Sequence, residues 1–126
     1  MPIRFTYDQQ LKILFTTVEG RVSFVEIQRH LDEEAAAKAL GYREIVDASA
    51  ASTNLTSEEA RKLARRLETM MRNGPLGPTA IVTTNDVSFG MARMLAILCE
   101  LWSGPQVAVF RSLDEGLDWL VHTSPV

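Results

Sequence analysis

The chain reads as an α/β protein, and two observations carry that reading. Between Gly41 and Val126 one unit recurs three times: a short apolar run rich in Ile, Val or Phe, a polar turn, then apolar residues three and four apart. The runs are Glu44-Ile45-Val46, Ala80-Ile81-Val82 and Val107-Ala108-Val109-Phe110. Units of this kind predict a largely parallel sheet covered by helices, because each strand reaches its parallel neighbour through a crossover long enough for a helix. The second observation is a set of three helix-start signals: Ser23 with Glu26, Thr56 with Glu59 and Ser112 with Glu115. In each, a hydroxyl and a carboxylate three residues apart satisfy amides that the first helical turn leaves unpaired.

Taken in order, the first twenty residues predict two strands and a tight turn. Ile3-Arg4-Phe5-Thr6-Tyr7 alternates apolar and polar residues, Asp8-Gln9-Gln10 turns, residues 11–18 run extended, and Gly20 is expected to end the second strand. Ser23 and Glu26 open a helix running to about Leu40. Phe24, Ile27, Leu31 and Ala35 form its apolar face, Arg29, Asp32, Glu33 and Lys38 its solvated ones, and Gly41 stops it. The third strand spans 42–48, followed by a small polar stretch at 49–54. A second helix starts at Thr56 and places Ala60, Leu63, Ala64, Leu67, Met70 and Met71 at helical spacing. Two prolines and two glycines in 73–78 break it.

The fourth strand covers 79–84, and Asn85, Asp86 or Ser88 caps a third helix that reaches Trp102, where Gly104-Pro105 ends it. The fifth strand is 106–110, and Ser112 opens a final helix through Leu113, Leu117, Leu120 and Val121. The order is ββαβαβαβα: a mixed, mostly parallel five-stranded sheet with four helices and right-handed crossovers, antiparallel only in the opening hairpin. Residues 1–126 form a single domain.

Composition excludes several classes. Hydrophobic residues make up 46% and charged residues 23% of the 126, ordinary values for a globular chain. The net charge of -3 argues against nucleic-acid binding. No apolar run approaches the roughly 20 residues that span a bilayer, and the N-terminus lacks the order of a secretory signal, so a cytoplasmic location is expected. Cys99, the one cysteine, stands among Leu and Trp and reads as a buried small hydrophobe. Two histidines and one cysteine without close spacing predict no zinc or iron site, and His30 and His122 have no ligand or triad partner in view.

The element order and several local matches resemble the SpoIIAA-like fold of STAS domains, with a distant likeness to CRAL-TRIO lipid-transfer domains. The matches are Gly20 followed by Ser23-Phe24, Ile45-Val46-Asp47, Ala80-Ile81-Val82, residues 89–94, Val109-Phe110-Arg111 and residues 114–120. The resemblance spans nearly the whole chain and is to small stand-alone bacterial proteins. It implies a non-enzymatic regulatory or small-ligand-binding module; separately, no cofactor is expected. In anti-sigma-factor antagonists a Ser at the helix after the third strand is phosphorylated, and the matching hydroxyls here are Thr56 and Ser57. A helix N-terminus suits a phosphate. The preceding Asp and following Gly of the family motif are missing, and Glu58 and Glu59 would repel the added charge, which favours Thr56 as a plain N-cap.

Three surfaces are candidates for function. Loops after parallel strands converge at one sheet edge, which gathers Asp47, Ser49, Thr84, Asn85, Asp86 and Arg111 as a small-ligand site; an alternative makes Asp47 and Asp86 the acid and base of a small enzyme. The second helix carries Arg61, Lys62, Arg65, Arg66 and Arg72, a basic face for an acidic partner or for peripheral contact of 58–72 with anionic lipid, diluted by Glu58, Glu59 and Glu68. The third helix is apolar over more than one face, which makes Met91, Met94, Leu98 and Trp102 candidates for a homodimer interface, a protein partner or an apolar ligand. No catalytic residue is assigned. The leading expectation is a binding module acting through protein contacts or a small apolar ligand; the rivals are the phosphorylation-controlled partner switch and the small enzyme.

Overall fold

The structure, a computed structural model, describes residues 3–37, 41–74 and 76–123. Its elements follow the expected order: β1 (Ile3–Asp8), β2 (Ile13–Val22), α1 (Phe24–Ala36), β3 (Arg43–Thr53), α2 (Ser57–Asn73), β4 (Thr79–Val82), α3 (Asp86–Leu101), β5 (Val107–Phe110) and α4 (Leu113–Val121). The five strands lie side by side in chain order. β1 pairs antiparallel with β2, and the β2–β3, β3–β4 and β4–β5 pairs are parallel. Oxygen atoms of Ser23, Thr56, Asn85 and Ser112 accept the amides at the starts of α1, α2, α3 and α4, with complete capping boxes at Ser23 and Thr56.

Register sorts the strand residues onto two faces, because side chains alternate across a strand. One face carries Ile13, Ile45, Ala80 and Val82 with Phe110; Leu120 of α4 packs on it with Leu117 and Trp119 to make a tight core. The other carries Thr16, Val18, Glu44, Val46, Ile81 and Thr83, and α1, α2 and α3 all lie over it. Crossovers of one hand that step one strand over in the same direction leave their helices on the same side. α4, after the last strand, is left to cover the opposite face. The three-helix layer stands off the sheet enough to leave a cavity.

Four expectations are corrected. β2 does not end at Gly20, which sits inside the strand at φ 72 beside a register shift between Thr17 and Glu19. A residue without Cβ accepts that backbone at little cost, so the strand bends there and continues to Val22. The predicted loop at 49–54 is largely strand, since Ala50 to Thr53 pair with Glu19 to Val22. α1 ends at Ala36 with Ala37 as cap, rather than at Leu40; residues 38–40 lie outside those described, as does Pro75 of the 73–78 connection. The buried side of α1 is also rotated from the expected one: Ala35 is exposed, whereas His30 and Glu34 are buried.

Candidate ligand site

The cavity between the sheet and α1–α3 has a volume of about 230 Å³. Its walls are mostly apolar, from Val18, Val46 and Ile81 below to Ile27, Leu67 and Leu95 above. Met91, one of the third-helix residues expected to meet a second subunit, a partner or an apolar ligand, lines this cavity with Ala92 and Leu95. On the β4–α3 wall the hydroxyls of Thr83 and Ser88 are buried without a hydrogen-bond partner.

The polar wall lies toward β1. His30 and Glu34 are one turn apart on α1, and Glu44 rises from β3 beneath them; their relative exposures are 9%, 4% and 9%. His30 Nε2 is 2.5 Å from Glu34 Oε1 and 3.3 Å from Glu44 Oε2. Thr16 on β2 donates its hydroxyl to the same Glu44 Oε2 at 2.5 Å. Glu34 Oε1 is within ion-pair reach of the imidazole yet lacks the alignment a hydrogen bond needs, and it has no other partner among the described residues. The edge of Phe5 on β1 meets the His30 ring at 5.5 Å between centroids.

Electrostatics follow from this crowding. Burial alone would lower the His30 pKa, but the close Glu34 and Glu44 carboxylates outweigh it and raise it from 6.5 to about 10. Burial and the nearby Glu44 carboxylate push Glu34 up from 4.5 to about 7, against the pull of His30. Burial pushes the Cys99 thiol up to about 11, which fits its place as a packed hydrophobe on α3.

The sheet-edge residues are brought together as expected, and they satisfy one another. Asp47 Oδ1 accepts from the Ser49 amide and hydroxyl, and the Thr84 hydroxyl donates to the Ser49 carbonyl. Arg111 donates to the Thr84 carbonyl and to Asp86 Oδ1 at 2.7 Å while lying over the Phe89 ring, and Asn85 is occupied as the cap of α3. Thr56 caps α2 by accepting the Glu59 amide; Thr56 and Ser57 are both exposed. Arg66 of the basic helix is turned to α1, where it binds Gln28 and Asp32, and Lys62 pairs with Glu58. Outside the cavity, Met94 and Leu98 line a shallow depression with Ile97, while Trp102 is half-buried under the Arg65 guanidinium at 3.8 Å.

The sequence reading left His30 without partners, and the structure supplies two. The available signal was position: His30 and Glu34 are four apart on a helix, and Glu44 stands in a strand that a covered parallel sheet must bury. A buried carboxylate in such a strand requires a partner.

No protein-family model matches the chain, and no curated protein matches it. Among solved structures it is similar to an uncharacterized protein of the DUF3478 family with a SpoIIAA-like fold from Shewanella loihica PV-4. The TM-score is 0.56 at 16% identity, over 94% of this chain and 91% of that one. The chain therefore has the SpoIIAA-like fold, and at that identity the likeness carries the fold alone. Among the described residues no helix is long and apolar enough to cross a membrane.

Proposed function

We propose that this protein is a non-enzymatic module that binds a small, mainly apolar molecule between the sheet and α1–α3. The observation that carries the reading is the cavity of about 230 Å³. Interiors are normally packed to crystal density, and an apolar void of about 150 Å³ is already enough to take up benzene. A void of this size forfeits contacts that a ligand would restore. The unpartnered Thr83 and Ser88 hydroxyls favour a ligand with one hydrogen-bonding group on that side.

Calorimetry with indole as probe tests this. Indole should bind with one site per chain and raise the melting temperature. Ala92→Phe, which fills the cavity from α3, should abolish binding while the fold is retained. Indole binding that survives this substitution would place the site elsewhere, and no binding at all would remove the reading.

A protein contact belongs to the same proposal, with a second copy of the chain as the partner of the outer face of α3. Val87, Ile97 and Leu101 are 71%, 49% and 70% exposed there. An antiparallel two-fold approach centred on Ile97 would bring Arg93 toward Glu100 of the partner subunit, adding charge complementarity to the apolar strip. A location in the cytoplasm accords with this reading.

A further inference from the structure

Three groups able to bind a cation converge on the polar wall of the cavity, and nothing in the ligand reading above uses them. Single donor atoms of His30, Glu34 and Glu44 lie within 4.8 Å of one another. Two come from successive turns of one helix and the third from a strand fixed by the sheet. We propose that His30, Glu34 and Glu44 form a binding site for one divalent first-row transition cation, of which zinc is the best fit.

Four physical arguments support the assignment. The first is spacing. Ligands at about 2.0–2.1 Å around a tetrahedral zinc are separated from one another by roughly 3.3 Å. The His30–Glu44 separation of 3.3 Å already matches, and the 2.5 Å between His30 and Glu34 opens by a small side-chain rotation on α1.

The second is the unpartnered atom. Glu34 is 4% exposed and its Oε1 accepts no aligned hydrogen bond from the described residues, its one polar contact being the 2.5 Å approach of His30 Nε2, although buried carboxylate oxygens are nearly always hydrogen-bonded. A cation between the three groups would replace that unaligned contact with a bond to this oxygen.

The third is charge. Two buried carboxylates face one imidazole, so with both ionised the cluster carries a net negative charge even when His30 is protonated. A dication bound by a neutral imidazole and two carboxylates brings the sum to zero, which is the state a low-dielectric interior favours.

The fourth is the surrounding support. The Thr16 hydroxyl fixes Glu44 Oε2, and the Phe5 edge limits rotation of the His30 ring. Such outer contacts orient metal ligands. Three protein ligands leave one coordination position directed at the cavity, the arrangement of an open rather than a closed site. A nitrogen with two oxygens and no sulfur suits zinc, manganese or iron, whereas magnesium and calcium prefer more oxygens and keep more water.

The test uses the full chain after treatment with chelator. Calorimetry with Zn2+ should show one equivalent bound, and Co2+ should give the visible absorption of a low-coordinate site with nitrogen and oxygen ligands. Mg2+ at millimolar concentration should not displace either ion. Glu34→Gln and His30→Gln should each weaken binding at least about tenfold. Asp86→Asn and His122→Ala should leave it unchanged. The latter variant guards against the exposed His122, whose Nδ1 lies 3.6 Å from Asp118.

The chain has only two histidines, so the ring nitrogen resonances of His30 and His122 can be told apart by the His122→Ala variant. Zn2+ should shift the His30 Nε2 signal of the otherwise native chain. Zinc uptake unaffected by Glu34→Gln, or a His30 signal unmoved at saturating Zn2+, overturns the proposal. The second readout decides even if a ligand variant does not fold. Because indole needs no metal, failure here leaves the apolar-ligand reading standing, and failure of indole binding leaves this one standing.

Discussion

Glu44 on β3 receives the Thr16 hydroxyl of the neighbouring strand and the His30 ring of the helix above through the same oxygen, Oε2, at 2.5 and 3.3 Å. One carboxylate thus ties the sheet to its helical layer at the polar end of an otherwise apolar cavity. Buried ion pairs are costly to form and costlier to break, because removing one partner strands the other charge. The cluster is therefore a place where protonation is coupled to folding.

That coupling predicts a pH dependence in the chelator-treated protein. His30 is raised from 6.5 to about 10, so its stabilisation is fully present below pH 6.5 and is lost as pH rises through about 10. Glu34 is raised from 4.5 to about 7, so a cost sets in above pH 4.5 and is complete above about 7. In both windows the folded chain binds more protons than the unfolded one, and stability falls as pH rises. Among the described residues the charged groups facing His30 are Glu34 of α1 and Glu44 of β3; the β1 and β2 neighbours, Phe5 and Thr16, do not titrate there. Urea denaturation at pH 5 and pH 9 should differ by a few kcal/mol, on the order given by shifts of this size. Glu34→Gln should flatten the part between pH 5 and 7. A stability that rises across this range would contradict the geometry.

The fold was legible because its signals are local and repeated. Three hydroxyl–carboxylate pairs marked helix starts and three β-branched runs marked parallel strands; all three helices start there, with reciprocal capping boxes at Ser23 and Thr56, whereas Glu115 accepts the Ser112 hydroxyl instead of its amide. The extension of β3 was not legible, because Ser49 and Ser52 look like a polar loop until β2 is found running on past Gly20 beside them. The cavity was illegible for a similar reason: its size depends on how far α1–α3 stand from the sheet, which periodicity does not encode. The His30 cluster joins residues 14 apart in sequence across two elements. It could be seen only by asking where a strand carboxylate would go.

The two glycines Gly77 and Gly90 should respond oppositely to alanine. A Cβ on Gly77 would sit 2.0 Å from the Tyr42 carbonyl oxygen, a backbone atom that cannot give way without moving the start of β3. Gly77→Ala should cost about 2–4 kcal/mol or more. A Cβ on Gly90 meets nothing within 4 Å inside helix α3, so Gly90→Ala should stabilise by about 1 kcal/mol through helix propensity. Thermal melts of the two variants beside the wild type check both signs.

Thr56 caps α2 by accepting the Glu59 amide at 3.1 Å, and the Glu59 carboxylate accepts the Thr56 amide at 2.9 Å. Thr56→Ala should lower stability by about 1 kcal/mol, and Thr56→Ser should restore most of it. Equal loss in both variants would mean that the hydroxyl contributes nothing to the helix start.

The proposed contact between copies through α3 predicts that Met94→Glu is monomeric. A carboxylate there would be desolvated against the apolar strip of the partner without a compensating charge. Light scattering of the wild type at high concentration should report a dimer, the variant a monomer, and their far-UV spectra should coincide. A wild type that stays monomeric leaves Ile97 and Leu101 as ordinary exposed apolar residues.

Thr83 is 2% exposed, lines the cavity just after β4, and its hydroxyl has no partner among the described residues. A buried hydroxyl without a hydrogen bond carries its full desolvation cost, and valine has almost the same shape without that group. Thr83→Val should therefore stabilise the ligand-free protein by about 1 kcal/mol in urea denaturation. Ser88→Ala, which removes the other unpartnered hydroxyl on that wall, should change stability in the same direction. The sign is informative, since a molecule occupying the cavity and hydrogen-bonded to Thr83 would make the valine variant less stable. Stabilisation in extensively dialysed protein, reversed when the protein is assayed as first purified, would thus show that it carries a cavity ligand and which wall that ligand touches.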